Sequence, residues 1–306
     1  MDEISSAIEA VKHELPNIEF KLDEPLKNYT TFIIGGPVRF MLFPEDMNSL
    51  TKICNIISEF GITPFVLGNG SNVLASDERH DLTVINTSKL DSVELTGETE
   101  ITAEAGARLS NLTVFAYEHG LSGFEFAHGI PGTLGGAVVM NAGAYGGEMK
   151  DVVFCTTAYN IKTGKYALTA PDHEYSYRHS RFSNTDDIVL STVIRLGKGD
   201  KESIKRRMDD LSARRRESQP LDMPSGGSTF KRPNEGYAAA LIEQAGLKGH
   251  RIGGAQVSEK HAGFIINRGG ATFSDVMAVV DHVRETILRL YGVELELEIR
   301  LITNNK

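Results

Sequence analysis

Residues 129–148 read GIPGTLGGAVVMNAGAYGGE. Seven of the twenty are Gly, three are Ala, and none is Ser, Cys or His. In the middle of a chain, that much bare backbone leaves a narrow choice between tight turns and main chain laid close against a ligand. Unblocked N–H groups in such an array suit an anion such as a diphosphate. A second run, LGNGSN at 67–72, has the same character. Gly68 and Gly70 open the turn, and Ser71 and Asn72 add side-chain donors. Two such loops suggest a dinucleotide lying across a domain, although each alone reads equally well as a turn. Neither matches the G-x-G-x-x-G dinucleotide fingerprint, and the Walker lysine is missing.

The surrounding pattern supplies a frame. Ile4, Ile8, Val11 and Leu15 share one face of a helix over 3–15, with Asp2 as its cap and Pro16 as its stop. Val38–Phe43 reads as a strand. A helix from about Asn48 follows, burying Leu50, Ile53, Ile57 and Phe60, and then a short strand enters LGNGSN. That is a β-α-β unit. From 82 to 196 the chain is strand-rich, with one helix over 109–119 and a hairpin turning at Lys162-Thr163-Gly164. The segment 201–220 is a charged amphipathic helix carrying Ile204, Met208 and Leu211. Its interleaved acids and bases read as a solvated linker. The last third alternates helix and strand. One helix, capped by Ser274 and stopped at Gly292, presents Val276, Val280, Val283, Ile287 and Leu290 on one face. In a final strand, VELELEIRLI, Val293, Leu295, Leu297, Ile299 and Leu301 oppose Glu294, Glu296, Glu298 and Arg300.

A formal net charge of −9 over 306 residues disfavours non-specific binding to nucleic acid or anionic membrane. The N-terminus has acids where a signal peptide needs bases, and no run reaches the length of a membrane span. A cytoplasmic protein without membrane insertion is expected. Cys54 and Cys155 are the only cysteines, and neither sits in a C-x-x-C pair. The nine histidines show no metal-ligand spacing, so no metal site is expected.

Three polar positions stand out from their segments. Arg178, in YSYRHSRF, offers a fork for a carboxylate or phosphate beside aromatic residues. Ser228 follows two glycines in PSGGSTFKRP, which exposes a hydroxyl able to donate a proton. Glu298 lies on the polar face of the final strand. Taken singly, each reads at least as well as an ordinary surface residue.

Seven segments together resemble one family, in its order: NYTTFIIGGP, VLGNGSNVL, GIPGTLGGAVVMNAGAYGGE, YSYRHSRF, GGSTFKRP, HRIGGAQVSEKHAGFIIN and LELEIRLI. The chain is identified from these as a member of the UDP-N-acetylenolpyruvoylglucosamine reductase (UDP-N-acetylmuramate dehydrogenase, MurB) family, with similarity from about residue 28 onward. Ser228 follows Arg178 by only about fifty residues, and Arg232 stands before Pro233. Both features resemble the family's shorter form, which lacks an inserted tyrosine loop.

The resemblance implies an α+β fold. It has a two-part FAD-binding domain of the vanillyl-alcohol-oxidase type, unrelated to Rossmann folds, and a C-terminal α+β substrate-binding domain. The expected regions are 1–86 and 87–203 for FAD and 204–298 for substrate, with a last strand at 299–306 returning to the first region. FAD is expected to bind non-covalently, with NADPH as hydride donor. Its contacts are expected from Gly68, Asn69, Gly70, Ser71, Asn72, Ile130, Pro131, Gly132, Thr133, Gly135, Gly136, Asn141, Gly143 and Gly146. Arg178, Ser228 and Glu298 take the catalytic roles, and Tyr145, Arg232 and Arg300 the substrate contacts. The implied reaction turns UDP-N-acetylglucosamine enolpyruvate into UDP-N-acetylmuramate in peptidoglycan precursor synthesis, which links the protein to cell wall, shape and division. A monomer or weak oligomer is expected. Another FAD-dependent oxidoreductase of the same cofactor-binding fold, such as an oxidase with flavin tethered near His128, is the alternative. A catalytically silent nucleotide-binding regulator is a more distant one.

Overall fold

The computed structural model describes residues 2–234 and 236–304. The chain forms two compact units, 1–22, 40–69 and 82–213 in the first and 23–39, 70–81 and 214–306 in the second. The second unit therefore joins two short early stretches to the last third.

The first unit opens with α1, Glu3–Glu14, whose first turn is capped by Asp2 accepting from the Ser5 N–H at 2.9 Å. Helix α2, Met47–Glu59, begins with a capping box between Asp46 and Ser49. Both helices carry apolar residues at helical spacing. Ile8, Val11, Leu50, Ile53 and Ile57 bury that face against Phe40, Leu42 and Ile85. The strands lie in the order Glu19–Pro25, Pro37–Phe43, His80–Asn86, Phe65–Leu67. The expected β-α-β unit is present, with His80–Asn86 between its two strands and parallel to Phe65–Leu67. Phe60 is only partly buried.

The same unit holds a five-stranded antiparallel sheet, ordered Gly164–Thr169, Val153–Asn160, Ile188–Arg195, Glu100–Glu104, Val93–Leu95. The hairpin turns at Lys162-Thr163-Gly164 as read from sequence. Helix α3, Leu109–Glu118, and the six-residue α4, Leu134–Val139, contribute to the core of this half. Burial of some two dozen apolar side chains here is the main stabilising contribution. Helix α5, Lys201–Ser218, buries Ile204, Met208 and Leu211 and leaves most of its charges to solvent. It and the strand Ile188–Arg195 occupy most of the stretch between Arg178 and Ser228.

The second unit packs α6, Ala238–Gln244, and α7, Phe273–Tyr291, with a four-stranded sheet ordered Ser225–Ser228, Phe264–Asn267, Ala255–Val257, Arg251–Ile252. Helix α7 is capped by Thr272, not by Ser274. Thr272 and Asp275 form a reciprocal capping box with both bonds at 3.1 Å. Val276, Val280, Val283 and Ile287 are buried, whereas Leu290 is 52 % exposed because the core ends before the last turn. Gly292 closes the helix at φ 69°.

The final segment differs most from its reading. Val293, Leu295 and Ile299 are buried as the alternation requires, but only Arg300–Ile302 is strand. It pairs in parallel with Val73–Ala75. Leu301 is exposed and Ile302 buried, so the inward face changes after Ile299. Of the expected 299–306 strand, residues 305 and 306 lie outside the described residues.

Candidate active site

In the first unit, the Gly-rich stretch folds as a short loop, helix α4 and a hairpin. Ala144 pairs with Gly147 and Gly143 with Glu148, leaving Tyr145 and Gly146 as the tip at φ 53° and 89°. Not all of the bare backbone faces outward. A Cβ on Gly147 would sit 2.5 Å from the Phe126 ring, so that glycine exists for packing. Gly135 is buried and donates its N–H to the Ala105 carbonyl at 2.8 Å. Thr133 is buried, and the Ile130 N–H donates to the Ala127 carbonyl. Gly136 and Gly146 are exposed. Among the described residues, the N–H groups of Gly129, Gly132 and Gly136 have no acceptor.

LGNGSN is barer still. Among the described residues, the five successive N–H groups from Gly68 to Asn72 donate to nothing in the chain. Successive amides in a turn are the donors from which anion-binding sites are built. Asn69 donates its amide to the Pro131 carbonyl at 2.6 Å, which ties this loop to the Gly-rich stretch within the first unit. The donors fit the diphosphate of a dinucleotide such as FAD. Oriented amides carry the positive end of the peptide dipole, which favours an anion.

Arg178 lies in a two-residue turn. Ser176 and His179 exchange both main-chain hydrogen bonds, at 3.0 and 3.2 Å, and Tyr177 and Arg178 form the tip. Arg178 has φ 53°, an uncommon conformation for a side chain of this size. Its guanidinium donates to the Gly143 carbonyl at 3.1 Å and lies over the Tyr177 ring at 4.9 Å. Asn141, expected among the cofactor contacts, is fully buried and hydrogen-bonded to Glu148, Lys150 and Ser176. Glu148 sits below the usual carboxylate range. Burial pushes it up, but hydrogen bonds from Lys150 and Asn141 and the charges of Lys150 and Arg178 outweigh that. Tyr145 is 36 % exposed at its hairpin tip.

In the second unit, Ser228 ends the strand Ser225–Ser228, opposite Phe264. A bulge separates Ser225 from Ser228, and Gly227 takes it up at φ 77°. Bulges re-aim the side chain that follows them. Among the described residues the Ser228 hydroxyl has no hydrogen-bond partner. Glu298 is half-buried, unlike its exposed neighbours Glu294 and Glu296. Its N–H donates to the Thr229 carbonyl at 2.9 Å, and Phe230 bridges Leu297. The segments bearing Ser228 and Glu298 are thus side by side. Asn72 joins them, donating its amide to the Glu298 carbonyl at 3.2 Å and accepting from the Arg300 N–H at 2.9 Å. Arg232 is exposed, with its guanidinium 4.3 Å from the Tyr237 ring centroid.

Sequence reading gave no role to Thr31, Thr229, Glu148 or Ser176. Thr31 donates to the Ser225 carbonyl at 2.6 Å and accepts the Ser225 N–H on its own carbonyl, which fixes the start of the Ser228 strand. Thr229, fully buried, accepts from the Ile265 N–H at 3.1 Å. The repeated Thr in NYTTF and the Thr after Ser228 were the available signals.

Among the described residues, no group of His, Cys, Asp and Glu is arranged to hold a metal, and no helix is long and apolar enough to cross a membrane.

Two family models match the chain. The one described as an FAD binding domain matches residues 38–167. The one described as UDP-N-acetylenolpyruvoylglucosamine reductase, C-terminal domain, matches 219–302. A UDP-N-acetylenolpyruvoylglucosamine reductase from Caldanaerobacter subterraneus subsp. tengcongensis is 46% identical over 295 residues, covering 96% of this chain and 97% of that one. One from Limosilactobacillus reuteri is 45% identical over 291 residues, covering 95% and 97%. The crystal structure of the reductase from Thermus caldophilus superposes with a TM-score of 0.80 at 33% identity, over 94% of this chain and 99% of that one. The α+β fold, with an FAD-binding part followed by a reductase C-terminal part, is that of an FAD-containing oxidoreductase, and this chain belongs to the UDP-N-acetylenolpyruvoylglucosamine reductase family.

Proposed function

We propose that the protein reduces UDP-N-acetylglucosamine enolpyruvate to UDP-N-acetylmuramate at the expense of NADPH, in peptidoglycan precursor synthesis in the cytoplasm. The observation that carries the reading is the near full-length family match, and Arg178, Ser228 and Glu298 stand in segments that resemble the family's. The regions 1–86 and 87–203 take FAD, and 204–298 takes the sugar nucleotide. FAD, when bound, would supply the hydride chemistry, with NADPH as its source.

The chain's own residues do the rest. The amides of 68–72, with those of Gly132 and Gly136, hold the cofactor diphosphate. The Arg178 fork holds the substrate carboxylate and stabilises the negative charge that grows next to it. Ser228 gives its hydroxyl proton to the neighbouring carbon, so that one hydride and one proton add across the double bond. Glu298 is the acid partner on the adjoining segment. Tyr145, Arg232 and Arg300 contact the sugar or its diphosphate.

An anaerobic cuvette tests this directly. The purified protein should be yellow, NADPH should bleach it, and the enolpyruvyl sugar nucleotide should restore the colour. Bleaching without recovery would remove the substrate assignment and favour the oxidase-like alternative, for which air is the next oxidant. A colourless protein that takes up no FAD would overturn the reading of both Gly-rich loops. Denaturation separates the two flavin chemistries, since a non-covalent flavin is released and a tethered one is retained.

A further inference from the structure

We infer that Asn141 is a positioning residue for Arg178, acting from inside the protein and not through its own contact with a ligand. The inference rests on the role given to Arg178 above. Asn141 is 0% exposed. One hydrogen of its amide goes to Glu148 Oε2 at 2.8 Å and the other to the Ser176 carbonyl at 3.0 Å. Its oxygen accepts the Lys150 N–H at 3.0 Å. Both donors are thus used within the chain, which leaves none to offer a cofactor.

Ser176 is the residue at the base of the turn whose tip carries Arg178. Asn141 therefore fixes that base, while the bond from the Arg178 guanidinium to the Gly143 carbonyl fixes the tip. The two anchors, 141 and 143, lie two residues apart on the Gly-rich stretch. The residues they hold, 176 and 178, lie two apart on the turn. The result is a two-point attachment between two segments that are otherwise irregular. Asn141 itself has φ 42°. Asn is among the few side chains that enter the left-handed region readily, and no other residue combines that backbone with two amide donors and an acceptor. Glu148 gives the amide a charged acceptor, and Lys150 pairs with the same carboxylate at 2.9 Å. The attachment therefore includes a charge-assisted hydrogen bond, stronger than a neutral one.

A double-mutant cycle on the full FAD-loaded chain tests this. The variants are Asn141→Gly, Arg178→Ala and the pair. The readouts are flavin content per chain and the rate at which UDP-N-acetylglucosamine enolpyruvate re-oxidises the reduced enzyme without oxygen. Glycine keeps the left-handed backbone accessible while removing the amide. Asn141→Gly should keep its flavin and lose about 10- to 100-fold in re-oxidation, the scale expected when a catalytic group is displaced by about 1 Å. In the Arg178→Ala background the same substitution should cost less than about twofold, because coupled residues do not lose independently. Equal losses in both backgrounds would overturn the inference and leave the role of Arg178 standing, as would loss of flavin from Asn141→Gly. Arg178→Ala re-oxidised at the wild-type rate would overturn the role of Arg178, and the inference with it. Should Asn141→Gly not fold, Asn141→Asp keeps the shape and the acceptor, removes both donors and is judged by the same two results.

Discussion

Arg178 and Ser228 are held by opposite means. Arg178 stands on an irregular turn, at a positive φ, and its place is set by a buried side-chain amide and by a bond from its own guanidinium. Ser228 stands on a strand, and its place is set chiefly by main-chain pairing with Phe264 and by a single bulge, with the Thr31 and Thr229 hydroxyls bonded on either side of it. A guanidinium reaches its ligand on a long flexible stem, so the attachment of its base decides the outcome. A hydroxyl has almost no reach, so the backbone must deliver it. The first arrangement is open to tuning by one side chain. The second depends on the sheet as a whole.

The comparison can be broken in several places. The largest effect should come from Ser228→Ala. Removing a proton donor costs about 10²- to 10⁴-fold. The loss should fall on re-oxidation by substrate, with flavin reduction by NADPH kept to within a few-fold. Stopped-flow absorbance separates the two, and equal losses in both would sink the assignment. Arg178→Ala should follow, with about a 10²- to 10³-fold loss in the same step, the scale of one missing charge-stabilising donor.

Thr229→Val probes the ladder behind Ser228. It leaves the buried Ile265 N–H without an acceptor, and a group abandoned in that way costs about 1–3 kcal/mol. Urea unfolding should show that loss, with a change in turnover smaller than that of Asn141→Gly. The reverse ranking would mean that side-chain bonds outweigh main-chain pairing in placing Ser228.

The smallest effect concerns pH. His173 is buried, its ring stacked on Tyr175 with 4.9 Å between centroids and its nitrogens bonded to the Thr169 carbonyl and the Thr156 hydroxyl, each at 2.8 Å. Burial, the leading cause, holds its pKa below the ordinary 6.5. Between that lowered value and 6.5 the unfolded chain binds the extra proton and the native chain does not. Stability should therefore fall as pH drops below about 6.5, and His173→Gln should flatten that limb in thermal melts.

Much of this was legible in the sequence because it depends on local chemistry. Asp2 before an amphipathic run is a helix start, and Gly292 after one is a stop. The misses share a cause. Thr272 and Ser274 are both competent caps, and what selects Thr272 is the reciprocal bond with Asp275 three positions on. The alternation of VELELEIRLI reports which side chains are buried, and it was right for Val293, Leu295 and Ile299. A strand also needs a neighbouring backbone, and Val73–Ala75 provides one only for Arg300–Ile302. The candidate site was legible as motifs. The internal bonding of Gly135 and Asn141 was not, because a glycine or an asparagine in a Gly-rich run reads the same whether it faces a ligand or the core.

The parallel pairing of Val73–Ala75 with Arg300–Ile302 closes late in synthesis. During synthesis Val73–Ala75 leaves the ribosome long before its partner, Arg300–Ile302, exists. Until then it is an unsatisfied edge, open to the wrong neighbour. A chain cut just before Arg300 would keep that edge exposed for its whole life. It should therefore be recovered as aggregate, even though the cut removes neither the residues read as catalytic nor most of either core.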